Sequence, residues 1–469
     1  MEMKTLEQYY QYLVQSLVCI DEENELTNIG YFPQLQDVDG QYLLLSPACI
    51  TQLPSSQMTY IEGDTLLHRV IIKNGHLSFQ SKLIYRSDPA KDYLAQYIFF
   101  HSGIELLAQV LRHPWRAFSN ILFHENLARA LGLNESPNLT LFELAEKISC
   151  SADLVKPYVL SRSLQCESRL NAGFANFLSS HAIKQPTGNT LFASFNMLTK
   201  KLSIVAYHAD GDNNYIRKVL NTCPSSNFTH DIRASKNYVA TSPAPISLKW
   251  YKSIANQHER HGTCCLIRYT NNKNLPSYIK FETTPGFITH FANCYEEEEH
   301  IIIYAICSRF KEVITLLGKP FDGKSYSSKL AKFVISIKTA RLLSQEIISD
   351  VDTNEYLIEF PSTTNLSLAQ TKTGQAFTLL SHTRILSGIG YINYNSGIAD
   401  IYERDVLFYQ PQIVERPEHE LIFSIGVSME EKNSCFYVFD KNNVNKGPLQ
   451  QITLPAKIHR AVHSYWQSN

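Results

Sequence analysis

The sequence predicts an all-β protein, and three observations carry that reading. The 469 residues include 26 Tyr and 24 Phe, and aromatic side chains, like β-branched ones, suit the pleated, half-buried surface of a strand. Strand–turn–strand units recur along most of the chain. The turn at Asn74-Gly75, between Arg69 and Gln80, is the dipeptide that a two-residue hairpin favours, because both of its residues must reach positive φ.

Residues 1–50 read as an irregular lead-in with a short N-terminal helix. After the Asn74-Gly75 hairpin, further strand–turn–strand units fall at 190–207, 232–248, 287–307, 377–394 and 420–439. Their irregular spacing excludes a short-period solenoid. Many short strands separated by turns fit a sandwich, a barrel or a propeller. Two stretches interrupt the pattern. Residues 93–148 carry apolar side chains at helical spacing and read as a helical insertion. Within it, Tyr97 through Phe123, with Trp115, Arg112 and Arg116, reads equally as an interfacial helix or as a cap packed across the fold. Residues 308–350 mix polar loop with apolar strand. No low-complexity linker divides the chain, so residues 1–469 are expected to form one domain.

Composition narrows the partners. Charged residues make up 19% of the chain and the net charge is −1, which gives no electrostatic reason to expect a nucleic-acid partner. The ten cysteines have no framework spacing and no CxxC, as expected of reduced thiols in a cytoplasmic protein. The opening Met-Glu-Met-Lys-Thr-Leu-Glu is not a basic region followed by an apolar run, so no secretory signal is expected. Apolar runs such as Ile301 to Cys307 are too short to span a bilayer. A cytoplasmic protein, or one peripheral on a membrane, is the expectation.

Four of the 16 histidines stand at the edges of expected strands. His181 precedes a hairpin, and His230, in Asn-Phe-Thr-His-Asp-Ile, leads into a strand. His290 lies in Pro-Gly-Phe-Ile-Thr-His-Phe-Ala-Asn, and His463 in Ile-His-Arg-Ala-Val-His-Ser-Tyr-Trp. The gaps between them lack the short-range pairing of zinc fingers or zincins. On spacing alone, an ordinary surface or core role is the commoner fate of each.

The blocks around them resemble the carotenoid cleavage oxygenase family, from about residue 60 to the C-terminus. Ile61-Glu-Gly-Asp-Thr-Leu-Leu-His68 looks like the family's Phe-Asp-Gly-Asp-Gly-Met-x-His block. His230-Asp231 with Asn237-Tyr238-Val239 resembles its His-Asp-Phe-x-x-Thr-x-x-Tyr block. His290-Phe291-Ala292-Asn293 with Tyr295-Glu296 is the nearest match. Glu359-Phe360-Pro361 and the ending from Gly447-Pro448 to His463 follow in order.

The resemblance implies a seven-bladed β-propeller with helical insertions capping its top face, and iron(II) held on the axis by His181, His230, His290 and His463. His459, four positions earlier, is the poorer match to the family's final histidine. Imidazole suits iron(II) but also zinc, copper and nickel, so the metal's identity rests on the resemblance. In the family, glutamates orient three of the four ligands. Glu359 matches one of these glutamates. Asp405 is assigned to a position written Glu-Pro-x-Phe in the family, and Glu135 to the remaining one. The implied reaction is oxidative cleavage of a carbon–carbon double bond by dioxygen, in an apolar polyene such as a carotenoid or apocarotenoid. Phe291 and Tyr295, beside a ligand, read either as substrate lining or as core. Ser180-His181-Ala182 replaces the family's Ala-His-Pro, and Ala461-Val462-His463 replaces Gly-Phe-His. Two alternatives stand beside the polyene. One is a stilbene cleaved on the same site, although Asn134 occupies the position of the lysine typical of stilbene cleavers. The other is a non-catalytic propeller that binds a lipid or a protein.

Overall fold

A computed structural model of the chain describes residues 24–48, 64–85 and 136–468, except 154, 162, 174, 212–213, 226, 248–257, 260, 285, 312, 314–327, 349–355, 363–373, 382–387, 405, 417–418, 429–432 and 459–460. The chain is a seven-bladed β-propeller, and it closes by using both of its ends in one blade. Blade 1 has the strand order Asn24–Tyr31, His76–Tyr85, Asp64–Lys73, Asp39–Ala48 and Ser464–Ser468. The C-terminal strand is thereby paired with a strand from the first tenth of the sequence, Leu44 opposite Ser464 and Tyr42 opposite Trp466.

The other six blades follow in chain order. Blade 2 holds Thr140–Leu144, Lys147–Ser151, Tyr158–Leu160 and Cys166–Arg169. Blade 3 sets the short strands Asn176–Leu178 and Ile183–Lys184 on Thr190–Asn196, followed by Lys201–Ala209 and Tyr215–Pro224. Blade 4 is Thr229–Ala234, Tyr238–Pro243, Gly262–Arg268 and Tyr278–Thr283. Blade 5 is Phe287–Glu297, His300–Ser308, Lys329–Ser336 and Arg341–Ile347. Blade 6 is Tyr356–Glu359, Gly374–Ser381, Gly388–Asn393 and Ala399–Glu403. Blade 7 sets Val406–Phe408 and Gln412–Val414 on Leu421–Ser428, followed by Ser434–Asp440 and Gln450–Thr453. Pairing within the blades is antiparallel, as hairpin connections require.

Burial follows position in the blade. The outer strand Tyr278–Thr283 alternates strictly, with Ile279, Phe281 and Thr283 buried and the residues between them exposed. The inner strand Phe287–Glu297 is buried continuously from Phe287 to Cys294, because both of its faces meet protein. The core is distributed accordingly. Seven apolar clusters fill the seams between adjacent blades, the one between blades 3 and 4 reaching Phe287 of blade 5, and together they run round the ring. The cluster that seals the closure packs Tyr42, Val70 and Trp466 of blade 1 against Phe423, Ile425 and Phe436 of blade 7. Trp466 meets Phe423 edge-on with ring centroids 5.3 Å apart. Gly40 lets this happen, since a Cβ there would come within 2.6 Å of the Trp466 ring.

The hairpin at Asn74-Gly75 forms as the sequence predicts, with φ of 50° and 77° and Lys73 opposite His76. All five later strand–turn–strand units also appear, in blades 3 to 7. Two expectations need correction. The lead-in is not irregular throughout, since Asn24–Tyr31 and Asp39–Ala48 are strands of blade 1. The helical reading of 93–148 lies outside the described residues up to 135, and at its C-terminal end it gives way to the hairpin Thr140–Ser151. That turn is made by Ala145 and Glu146, both at positive φ. Neither is a turn former, and Leu-Ala-Glu-Lys reads locally as helix. Eight described cysteines carry free thiols. Among the described residues, no helix is long and apolar enough to cross a membrane.

Truncating Phe423, fully buried at the closing seam, removes an aromatic ring that its neighbours cannot replace. Phe423→Ala should destabilise the fold by about 3–5 kcal/mol, seen as a lowered thermal midpoint by circular dichroism.

Candidate metal centre

His230 and His290 come to the axis from inner strands, His463 from the residue directly before one, and His181 from the link between the two short strands of blade 3. Local irregularity aims them. The register of blade 4 shifts between Thr229 and Ile232, around His230. That of blade 5 shifts on both sides of His290 and Phe291. Such bulges rotate a side chain out of the strict in–out alternation of a strand. The backbone then ties the blades together. The amides of Ser180 and His181 both donate to the carbonyl of His230, at 3.1 and 3.4 Å. Asp231 accepts from the amides of Ile232 and Phe291, each at 2.7 Å, which links blade 4 to blade 5.

The four imidazoles converge. One ring nitrogen from each of His181, His230, His290 and His463 lies within 4.8 Å of all the others. Two nitrogens facing each other across a single ion at about 2.1 Å would be about 4.2 Å apart, so the set is nearly drawn in to that size. Behind the rings stand acceptors. Asp153, in the turn of blade 2 after Ser151, receives Nδ1–H of His230 at 2.8 and 2.9 Å from its two oxygens. It is itself held by the Ser180 hydroxyl. Glu359, at the end of its blade 6 strand, receives Nδ1–H of His290 at 3.0 Å. Gln410, between the two short strands of blade 7, presents Oε1 to Nδ1 of His463 at 3.3 Å. His181 has a carboxylate oxygen of Asp231 3.7 Å from its Nδ1, beyond hydrogen-bond reach.

With Nδ1 carrying the proton, Nε2 is a bare lone pair aimed at the axis. His230 and His290 set two such atoms 3.3 Å apart, a repulsive pair unless a cation lies between them. Nε2 of His181 is buried and has no hydrogen-bond partner, which is costly for a polar atom unless something binds it. A metal ion answers both conditions, and four neutral nitrogen donors suit a divalent transition metal.

The electrostatics agree. Burial, with the neighbouring histidines, holds His181 and His463 neutral to well below the usual imidazole range. Burial also pulls His230 down, but the charge and hydrogen bond of Asp153 more than offset it, so its pKa is raised. Asp153 in turn is lowered, since His230 outweighs the cost of burying the carboxylate. Burial raises Asp231. Phe360 follows Glu359 with φ of +49°, a conformation that costs a bulky residue of order 1–3 kcal/mol. Its ring lies 5.6 Å from His290 and 5.4 Å from His463, an apolar wall beside two of the four rings.

Of the residues singled out from the sequence, the structure brings together His181, His230, His290, His463 and Glu359. Glu135, Asp405 and His459 lie outside the described residues. Phe291 is core, packed with Tyr238 and Cys264 between blades 4 and 5, and Tyr295 is partly buried against the core of the next seam. His300 opens a strand after a turn at Glu298, and Glu296 holds Ser235 and Asn237 of the neighbouring blade. Sequence reasoning missed Asp153 and Gln410. Gln410-Pro411 preserves the Glu-Pro pattern with an amide in place of the carboxyl, a signal passed over in looking for an acid. Asp153 carries no comparable mark.

A family model described as retinal pigment epithelial membrane protein matches residues 18–468. No curated relative matches the chain by sequence. Among solved structures, a variant of the apocarotenoid oxygenase of Synechocystis is similar at 14% identity over 98% of this chain and 99% of that one, with a TM-score of 0.73. The cobalt-substituted Synechocystis enzyme matches at 14% over 98% and 99%, with a TM-score of 0.72. A chimera of that enzyme with the retinal pigment epithelial protein matches at 14% over 97% and 98%, with a TM-score of 0.74. At such identity the likeness shows the fold.

The buried histidines make stability depend on pH. His181 and His463 have lowered folded values, so their contribution is present above the ordinary 6.5 and is lost as pH falls below it. His230 is raised and has the opposite sign, its contribution being lost as pH rises through its folded value. With two groups against one, chelator-treated protein should lose thermal stability on acidification below about pH 6.5. His463→Asn should flatten that acid limb in a series of melts.

Proposed function

The chain belongs to the retinal pigment epithelial membrane protein family of carotenoid cleavage oxygenases, and from that premise we propose that it is an iron(II)-dependent dioxygenase cleaving a carbon–carbon double bond of a carotenoid or apocarotenoid. The observation that carries this reading is the convergence of four imidazole nitrogens within 4.8 Å, with the back of three rings occupied by Asp153, Glu359 and Gln410. His181, His230, His290 and His463 would hold the metal.

Bound iron(II) supplies dioxygen activation, in a reaction that adds both oxygen atoms across a C=C bond and leaves two carbonyl products. The protein's own groups set the conditions for it. Neutral imidazoles bind without cancelling the metal's charge. Asp153 and Glu359 fix the tautomer and orientation of His230 and His290 and raise their basicity as ligands. Depressed basicity keeps His181 and His463 free of protons that would compete with the metal. Phe360 gives an extended apolar substrate a dry surface beside His290 and His463, which helps to exclude water from the reacting bond. A polyene partitions into lipid, so brief contact with a membrane surface suits its delivery to a cytoplasmic enzyme.

Metal analysis of protein purified without chelator and reconstituted anaerobically with iron(II) tests the proposal. About one iron per chain is expected. Incubation with apocarotenoids under ¹⁸O₂ should yield aldehydes labelled at the cleaved carbons. His290→Ala should lose both iron and cleavage while remaining folded. A chain that takes up no iron, or an iron-loaded chain whose products carry no label, would overturn the reading.

A further inference from the structure

We infer that Gln410 is the positioning residue of His463, an uncharged support locked in one orientation, and that it raises the Fe(III)/Fe(II) potential of the centre above the value a carboxylate there would give. The inference rests on the metal-centre reading above. The orientation of an amide is fixed only by its partners, and here both ends are determined. Nε2 of Gln410 donates to the carbonyl of Pro361 at 2.7 Å, an atom that can only accept. Oε1 accepts from the amide of Ser464 at 2.8 Å, a group that can only donate. The atom facing Nδ1 of His463 at 3.3 Å is therefore an oxygen. Nδ1 carries the proton and Nε2 is free for metal. Gln410 and His463 are 1% and 2% exposed, so no solvent competes for these bonds.

The supports are thus unequal. His230 and His290 lean on carboxylates, which push electron density into the ring and make it the stronger donor. His463 leans on a neutral amide whose oxygen it shares with a backbone N–H. The centre carries one negative charge fewer than three carboxylate supports would give, which disfavours the higher charge of the ferric ion and leaves iron in the ferrous state. The surroundings are built for the amide, because a carboxylate at this position would put an oxygen against the Pro361 carbonyl. Pro361 also follows Glu359 by two residues. One tripeptide, Glu359-Phe360-Pro361, therefore holds His290 directly and His463 through Gln410.

The test compares wild type, Gln410→Leu, Gln410→Glu and Gln412→Leu after anaerobic loading with iron(II). Gln412 is buried and holds the carbonyl and hydroxyl of Ser464, so it controls for damage to the closing strand. Gln410→Leu should weaken iron(II) binding about 10- to 100-fold in chelator competition. Gln410→Glu should move the midpoint potential negative, while Gln412→Leu lowers stability and leaves the potential in place. On wild type, ¹⁵N-histidine spectra of the zinc-loaded protein should show the His463 proton on Nδ1. That measurement decides the matter where a Gln410 variant does not fold. A proton elsewhere, or iron-loaded Gln410 variants with unchanged affinity and potential, would overturn this inference alone. Wild type that binds neither iron nor zinc would overturn the metal-centre reading as well.

Discussion

Lone pairs that point at one another repel, and the axis of this protein collects four of them. Imidazole rings left to themselves would rotate away or take up protons. What prevents this is the acceptor placed behind Nδ1 of three rings, which decides where the proton sits and therefore which nitrogen is bare. Much of the local architecture serves that arrangement. The bulges around His230 and His290 turn those rings inward. The buried hydroxyl of Ser180 steadies Asp153, and Thr289, next to His290, reaches the far oxygen of Glu359 at 3.4 Å.

The propeller suits this task because of how it divides the labour. Blades 1, 3, 4 and 5 each bring one histidine to the axis, and blades 2, 6 and 7 each bring one support. No blade supplies both, so the centre assembles only when the ring does. The dependence is sharpest at the closure. His463 directly precedes the strand that joins blade 1 to the end of the chain, and its support comes from blade 7, the other side of the same seam. Packing of Trp466 on Phe423 and placement of the fourth histidine are two results of one docking event.

The sequence made the fold legible where turn chemistry and alternation agree. Asn74-Gly75 marked its hairpin because both residues tolerate positive φ. Ala145-Glu146 hid theirs because neither residue advertises one, and its helix-forming neighbours suggested the opposite. The histidines were legible through the blocks around them, not their spacing, since a radial fold brings together residues that are 49 and 60 positions apart (181 to 230, 230 to 290) without leaving a periodic trace. Supports are harder to read than the rings they hold. A support needs only an oxygen at the right place, and Glu, Asp and Gln all offer one at different reach. Asp153 supplies it from a turn and Gln410 from a link between strands, where nothing in the local pattern fixes which residue will face inward.

The mixture of supports has a physical consequence for the metal. Four neutral ligands leave a divalent ion's charge to be balanced from behind, and the balancing charge here is concentrated on the sides of His230 and His290. Asp231 stands farther off, 3.7 Å from Nδ1 of His181, with its two oxygens engaged by backbone amides and its pKa raised by burial. His181 and His463, on the remaining face, have no carboxylate of the described residues within hydrogen-bond reach, and theirs are the rings whose basicity is most depressed. Phe360, adjoining His463 and His290, keeps part of that surrounding apolar. Under the proposed function, such an asymmetric field would hold the ion more firmly on the side of His230 and His290 and leave the opposite side the weaker donor, an arrangement suited to an uncharged ligand and a hydrocarbon rather than to a charged substrate.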